Sequence, residues 1–208
     1  QIQFSSGTTE ASGDWEIATV DTFTIPRWNY LSVDYQPNGH PAIAYRTSNS
    51  LRYASYNGSE WTITTVDDSS SGELTNKPSL GHLPDGTPVI AYWRYNSDAD
   101  QRLQFARYDG ENWSITTIEE NAGDHASLSI GPDGNPAIAY DAGYTTLRYA
   151  AYDGNNWNFT DVAGRPSYIS LQHRPDGQPG IAASLRGSDQ LIYATIQDDE
   201  WRTENVAG

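Results

Sequence analysis

The chain contains no cysteine, which excludes disulfides, zinc-thiolate centres and a cysteine nucleophile. Lys77 is its single lysine, and 12 basic residues stand against 27 acidic ones for a formal net charge of −15. A surface of that sign repels phosphate backbones and anionic headgroups, so neither nucleic acid nor a membrane is an expected partner. No apolar run approaches the roughly 18 to 20 residues a spanning helix needs, and the residues from Gln1 on do not have the charged-then-apolar pattern of a signal segment. Methionine is missing too. A chain starting at Gln1 without it is expected to have lost a leader or to have been trimmed from a longer polypeptide.

What the chain has in abundance is Ser, Thr, Asn, Gly and Tyr around its carboxylates, a mixture common in secreted proteins. Asn57-Gly58-Ser59, Asn112-Trp113-Ser114 and Asn158-Phe159-Thr160 fit the glycosylation sequon. Extracellular placement is therefore the expectation.

A unit also recurs. The turn Pro37-Asn38-Gly39-His40-Pro41 returns as Pro84-Asp85-Gly86-Thr87-Pro88, Pro132-Asp133-Gly134-Asn135-Pro136 and Pro175-Asp176-Gly177-Gln178-Pro179. Trp15, Trp61, Trp113, Trp157 and Trp201 close successive units, 46, 52, 44 and 44 residues apart. A period in this range with four strand-like runs per unit points to propeller blades. Within a unit the second strand reads Ala42-Ile43-Ala44-Tyr45 or a close variant. Alternation puts Ile43 and Tyr45 on one face and Ala42 and Ala44 on the other, so bulky and small faces of neighbouring sheets can interlock.

The fold class expected is all-β: a β-propeller of four-stranded antiparallel blades, with four full repeats and an N-terminal half-blade in one domain spanning 1–208. Residues 1–21 form the half-blade, and 22–67, 68–119, 120–163 and 164–208 the repeats. Eighteen strands complete neither a four-blade nor a five-blade ring. Five blade positions with the first half built is the preferred arrangement. The others are a four-blade ring with an added hairpin, an excerpt of a longer propeller, and a ring shared between chains.

Tyr108-Asp109-Gly110-Glu111-Asn112-Trp113 and Tyr152-Asp153-Gly154-Asn155-Asn156-Trp157 place an Asx-Gly turn before the closing Trp. This resembles the Asp-box, the bacterial neuraminidase repeat Ser-x-Asp-x-Gly-x-Thr-Trp, although Asp and Gly are adjacent here and the Ser and Thr are missing. The resemblance is one of blade position. It implies a propeller in which the box is structural, and it carries no catalytic assignment. A sialidase-like hydrolase would need an arginine cluster, a Tyr nucleophile with a Glu, and an Asp acid/base. Arg27, Arg46, Arg94, Arg165 and Arg186, Tyr95, Tyr144 and Tyr168, and Asp98, Asp124 and Asp141 offer those residue types. The family's Arg-Ile-Pro is replaced by Ile25-Pro26-Arg27.

Propeller topology would put the uniform turns on one rim and the irregular connections on the other. Sites grafted on scaffolds favour irregular loops. Arg27, Trp28, Arg46, Trp93, Arg94, Tyr95, Tyr144, Arg165, Tyr168 and Arg186 fall on those connections and are the candidate ligand-binding residues, suited to stacking on sugars or gripping acids. The expected function is non-catalytic, lectin-like binding of a glycan or protein partner. The rivals are a propeller glycoside hydrolase and an assembly role with self-association through blade edges. No cofactor or metal is expected. Asn96-x-Asp98-x-Asp100 has calcium-loop spacing but lacks the following Gly, His82 and His173 sit at matching packing positions, and His40 lies in a structural turn.

Overall fold

The computed structural model describes residues 2–7, 15–23, 30–68, 74–97, 100–188 and 190–207. Hairpin A pairs β1 (Ile2–Gly7) with β2 (Trp15–Asp21). Sheet B runs β3 (Leu31–Tyr35), β4 (Pro41–Arg46), β5 (Ser50–Tyr56) and β6 (Trp61–Asp68). Sheet C holds β7 (Leu74–His82), β8 (Pro88–Ser97), β9 (Asp100–Tyr108) and β10 (Trp113–Glu120). Sheet D holds β11 (Ala122–Ile130), β12 (Pro136–Ala142), β13 (Thr146–Tyr152) and β14 (Trp157–Gly164). Sheet E ends the chain with β15 (Pro166–His173), β16 (Pro179–Leu185), β17 (Leu191–Gln197) and β18 (Glu200–Ala207). Every pairing is antiparallel between consecutive strands.

Turn chemistry explains the meander. Asn38, Asp85, Asp133 and Asp176 each accept an N–H from the residue two places on, at 2.9–3.1 Å. The following Gly takes positive φ, +82° at Gly39 and Gly134, where an L side chain would be strained. In the second hairpin of sheets B, C and D, Asn57, Asp109 and Asp153 cap the turn through two backbone N–H groups. Those bonds hold the Asp109 and Asp153 carboxyls below their ordinary range.

The first strands meet in succession, β3 with β7, β7 with β11 and β11 with β15, so these are the inner strands. Their contact is partly polar: Ser32, Ser79 and Ser127 each accept the backbone N–H of a leucine in the next sheet, Leu80, Leu128 and Leu171, at 2.9–3.1 Å. The interlocking faces are as the alternation required. Ala42 and Ala44 pack with Leu80 and Ile90 of sheet C, while Ile43 and Tyr45 face Ile2 and Val20 of hairpin A. Each closing Trp of sheets C to E lays an edge on the preceding sheet's aromatic: Trp113 on Tyr53, Trp157 on Phe105 and Trp201 on Tyr149, with centroids 5.2–5.4 Å apart.

All five pairings of third and fourth strands skip one residue at the same place: Val20, Val66, Ile118, Val162 and Val206. A β-bulge of this kind re-aims the side chain that follows it. In three cases that residue is a carboxylate: Asp21, Asp67 or Glu119.

Candidate functional site

Those carboxylates organise the rim where the chain passes between sheets. Tyr45 donates to Asp21 at 2.6 Å, and Arg52 donates to the same oxygen at 2.9 Å. One junction on, Tyr92 donates to Asp67 at 2.7 Å and Arg94 at 3.1 Å. At the next, Tyr140 donates to Glu119, which also takes the Arg148 guanidinium at 2.8 and 3.0 Å. Burial, reinforced by the carboxylates, pushes all three phenols up. Burial would raise Asp21 as well, but the bonds from Tyr45 and Arg52 outweigh it and hold that carboxyl low. The fourth junction loses both partners together, with Ala183 and Ala163 in place of tyrosine and acid.

This network absorbs Arg94, whose guanidinium is committed to Asp67. Arg46 is 6% exposed; its backbone N–H meets Tyr30 O at 3.2 Å, and burial drives its guanidinium pKa down. Trp93 donates its indole N–H to Ala122 O at 3.3 Å and packs on Tyr95. Tyr144 bonds Gln101 and lies under the Arg186 guanidinium, 5.7 Å from its ring centroid. Arg186 also bonds Pro166 O through Nε and Arg165 O through its backbone N–H, while the Arg165 side chain is exposed. Tyr168 and Arg186 share a shallow groove beside Ser184 and Gln190. Arg27, Trp28 and Asp98 lie outside the described residues, as does the Asp124 side chain. Among the described residues the candidates meet in small groups: Arg94 with Asp67, Trp93 with Tyr95, and Arg186 with Tyr144 and Tyr168.

One candidate, Tyr168, does join three further side chains of this rim in a continuous arc. Tyr30, Lys77, His125 and Tyr168 occupy one repeat position, two residues before the inner-strand serine. Lys77 Nζ lies 5.5 Å from the Tyr30 ring centroid and 3.1 Å from His125 Nε2, and His125 meets the Tyr168 ring edge-on at 5.1 Å. Lys77 holds this place with a backbone φ of +49°, an uncommon conformation for a side chain of its size. On the neighbouring strand the Asp141 side chain is fully buried, in space that Gly123 leaves open because a Cβ there would run into the carboxylate.

The opposite rim, built of uniform turns, holds a half-open cleft of about 500 Å³ between sheets C and D. Sheet C supplies Leu83, Phe105, Arg107, Ser114 and Thr116, and sheet D supplies Asn135, Tyr152, Asn155 and Trp157. Its neighbours show why it opens here. Between B and C, Tyr53 and His82 bond at 3.0 Å, with His82 Nδ1 on Asp34 at 2.8 Å; between D and E, Tyr149 and His173 meet at 3.3 Å. Phe105 and Ile130 take those two positions between C and D, so no polar link ties the sheets there. Trp113 Nε1 donates to Thr64 at 3.1 Å, but Trp157 has no matching bond to Thr116, and its indole N–H has no acceptor among the described residues. Arg107, exposed at the cleft mouth, replaces Ser55, Ala151 and Thr195 of the other sheets, with no carboxylate of the described residues in ion-pair range.

Three kinds of solved structure share this arrangement of sheets. A Penicillium chrysogenum alpha-L-arabinanase complexed with arabinobiose matches at TM-score 0.66 and 18% identity, over 88% of this chain and 67% of that one. An Aleuria aurantia lectin, described as a six-bladed β-propeller with a novel fucose recognition mode, matches at 0.61 and 17% identity over 93% and 67%. A Hadza microbial sialidase matches at 0.59 and 14% identity over 86% and 45%. The fold is a β-propeller fold. At these identities the likeness carries the fold and no function. No protein-family model matches the sequence, and no curated protein does.

Across these propellers the chain spans from under half to about two-thirds of its neighbour's length. The Asp-box resemblance is supported only at the level of fold. Among the described residues no cluster of His, Asp and Glu is arranged to hold a metal, and no helix is long and apolar enough to cross a membrane. Lys77 stands out as the single lysine, but Arg107 is one of eleven arginines, and residue type places neither at a site. Aligning the repeats is the signal that finds them, since each is the one basic side chain of its kind at a position that is small, aromatic or imidazole elsewhere.

Proposed function

We propose that this propeller is a non-catalytic carbohydrate-binding module and that the cleft between sheets C and D receives a neutral sugar. The carrying observation is the pairing of an indole N–H without an acceptor among the described residues, on Trp157, with the exposed guanidinium of Arg107 in the lining of one half-open cleft. Together they supply what a pyranose or furanose needs: an aromatic body for its C–H face and donors for vicinal hydroxyls. Asn155 adds an adaptable amide. Asp85, Asp109, Asp133 and Asp153 crown the same rim and are held ionised by their turn N–H groups, a field that disfavours carboxylate sugars.

The lectin and arabinanase neighbours make fucosides and arabinosides the first ligands to test, while sialosides should be rejected. Ring count, the half-blade and extracellular placement belong to the same proposal, supported by the eighteen strands and by the sequon triplets. Titration with neutral monosaccharides and sialyllactose, followed by tryptophan fluorescence and calorimetry, provides the test. Saturable binding of a neutral sugar supports the reading; binding of sialosides alone, or turnover of chromogenic glycosides, overturns it. The hydrolase alternative has less support because the tyrosines bonded to Asp21, Asp67 and Glu119, namely Tyr45, Tyr92 and Tyr140, are fully buried and closed to a substrate.

A further inference from the structure

We propose that hairpin A is the docking site for a β-hairpin of the repeat's own first-and-second-strand type, which pairs with the edge of β1 and covers the inner strand of sheet B. In sheets B to E the third strand has a neighbour on both sides, whereas among the described residues β1, its counterpart in hairpin A, pairs only with β2. The consequence falls on β3. Val33 is 53% exposed, while Leu80, Leu128 and Leu171 at the same repeat position are 7%, 8% and 3% exposed. Leu31 and Tyr35, on the same face of β3, are 55% and 61% exposed. Hairpin A covers only the outer part of sheet B, through Ile43, Tyr45 and Ala54.

Three interfaces inside the chain state the chemistry of the missing element. Its first strand carries a serine, because Ser32, Ser79 and Ser127 accept the N–H that corresponds to Val33's. Its second strand carries alternating small residues, since Ala42 and Ala44, or Ala137 and Ala139, are what face the next sheet. A hairpin of that description adds backbone hydrogen bonds along β1 and buries Leu31, Val33 and Tyr35 together, which is strand addition at an open edge. This docking is independent of sugar binding in the cleft, which lies between other sheets.

The absence of cysteine makes the test clean. A Val33→Cys chain carries one thiol, whose alkylation rate is followed while a synthetic peptide spanning 126–142, the chain's own β11–β12 hairpin, is titrated in. Protection on the order of tenfold is expected, with no effect of a scrambled peptide and none on an Ile63→Cys control. In a second arm the same hairpin is joined upstream of Gln1 in repeat register, which removes any doubt about peptide solubility. Protection in either arm supports the proposal. Unchanged labelling in both overturns it, and protection that grows with protein concentration without peptide overturns the hairpin as occupant in favour of a second copy.

Discussion

The two rims of this propeller use their side chains in opposite ways. The irregular rim carries Arg46, Trp93, Arg94 and Tyr144, yet Arg94 is spent on Asp67, Arg46 is buried, and Trp93 and Tyr144 are tied to Ala122 O and Gln101. On the uniform rim the turns are nearly identical, and Arg107 and Trp157 keep their donors open to a cleft. Variation in a loop therefore marks where the repeat is free to change. Whether a side chain is available for a ligand depends on what its neighbours have already taken.

The largest effect expected is structural and belongs to the irregular rim. Asp67→Ala strands the Tyr92 hydroxyl and Arg94 together and should cost about 3 kcal/mol, read as a lower urea midpoint. Sugar binding in the cleft should survive it, and loss of binding in a protein that is still folded would break the contrast between the rims. Arg107→Ala should do the reverse. Binding of the neutral sugar weakens about tenfold, or about 1.4 kcal/mol, with stability unchanged within about 0.5 kcal/mol, and Arg186→Ala serves as the control that leaves affinity alone.

A subtler change turns one interface into its neighbour. Phe105→Tyr with Ile130→His recreates at the C–D junction the phenol–imidazole bond found on either side of it, and should weaken sugar affinity severalfold by tying the two sheets together beside the cleft; calorimetry on the double variant reads this directly. Unchanged affinity would mean that the missing polar link is not what opens the site.

The smallest effect expected is one of pH. Burial lowers the His173 imidazole, opposed by Asp133. A group with a folded pKa below its unfolded value of 6.5 binds protons more readily when unfolded, so its contribution is intact above that pH and is lost as pH falls through the folded value. Stability should slope downward below pH 6.5, and His173→Gln should flatten that slope. Titrated unfolding of the two proteins makes the comparison.

Much of this architecture is legible before any folding is considered. Period-two alternation assigns Ala42 and Ala44 to one face and Ile43 and Tyr45 to the other, and Asx-Gly with its required positive φ assigns the turns, because both are local properties of a few consecutive residues. The repeat itself follows, and with it the strand order. The position-matched serines, the Tyr–His pairs and the closing tryptophans are visible as columns in that repeat, but not as contacts.

Only the tertiary structure decided which of those columns meet. Tyr92 and Asp67 stand 25 residues apart, and Trp113 and Thr64 stand 49 apart; a single skipped residue in each hairpin aims the acid at the next sheet. The cleft exists because two adjacent sheets happen to bring Phe105 and Ile130 together, and Val33 lies open because no described strand covers it as the preceding sheet covers Leu80, Leu128 and Leu171. The sequence by itself determined what each strand is and which way its side chains alternate, since those depend on neighbours along the chain. Availability for a ligand or a partner strand depends on neighbours across sheets, and only their stacking supplies it.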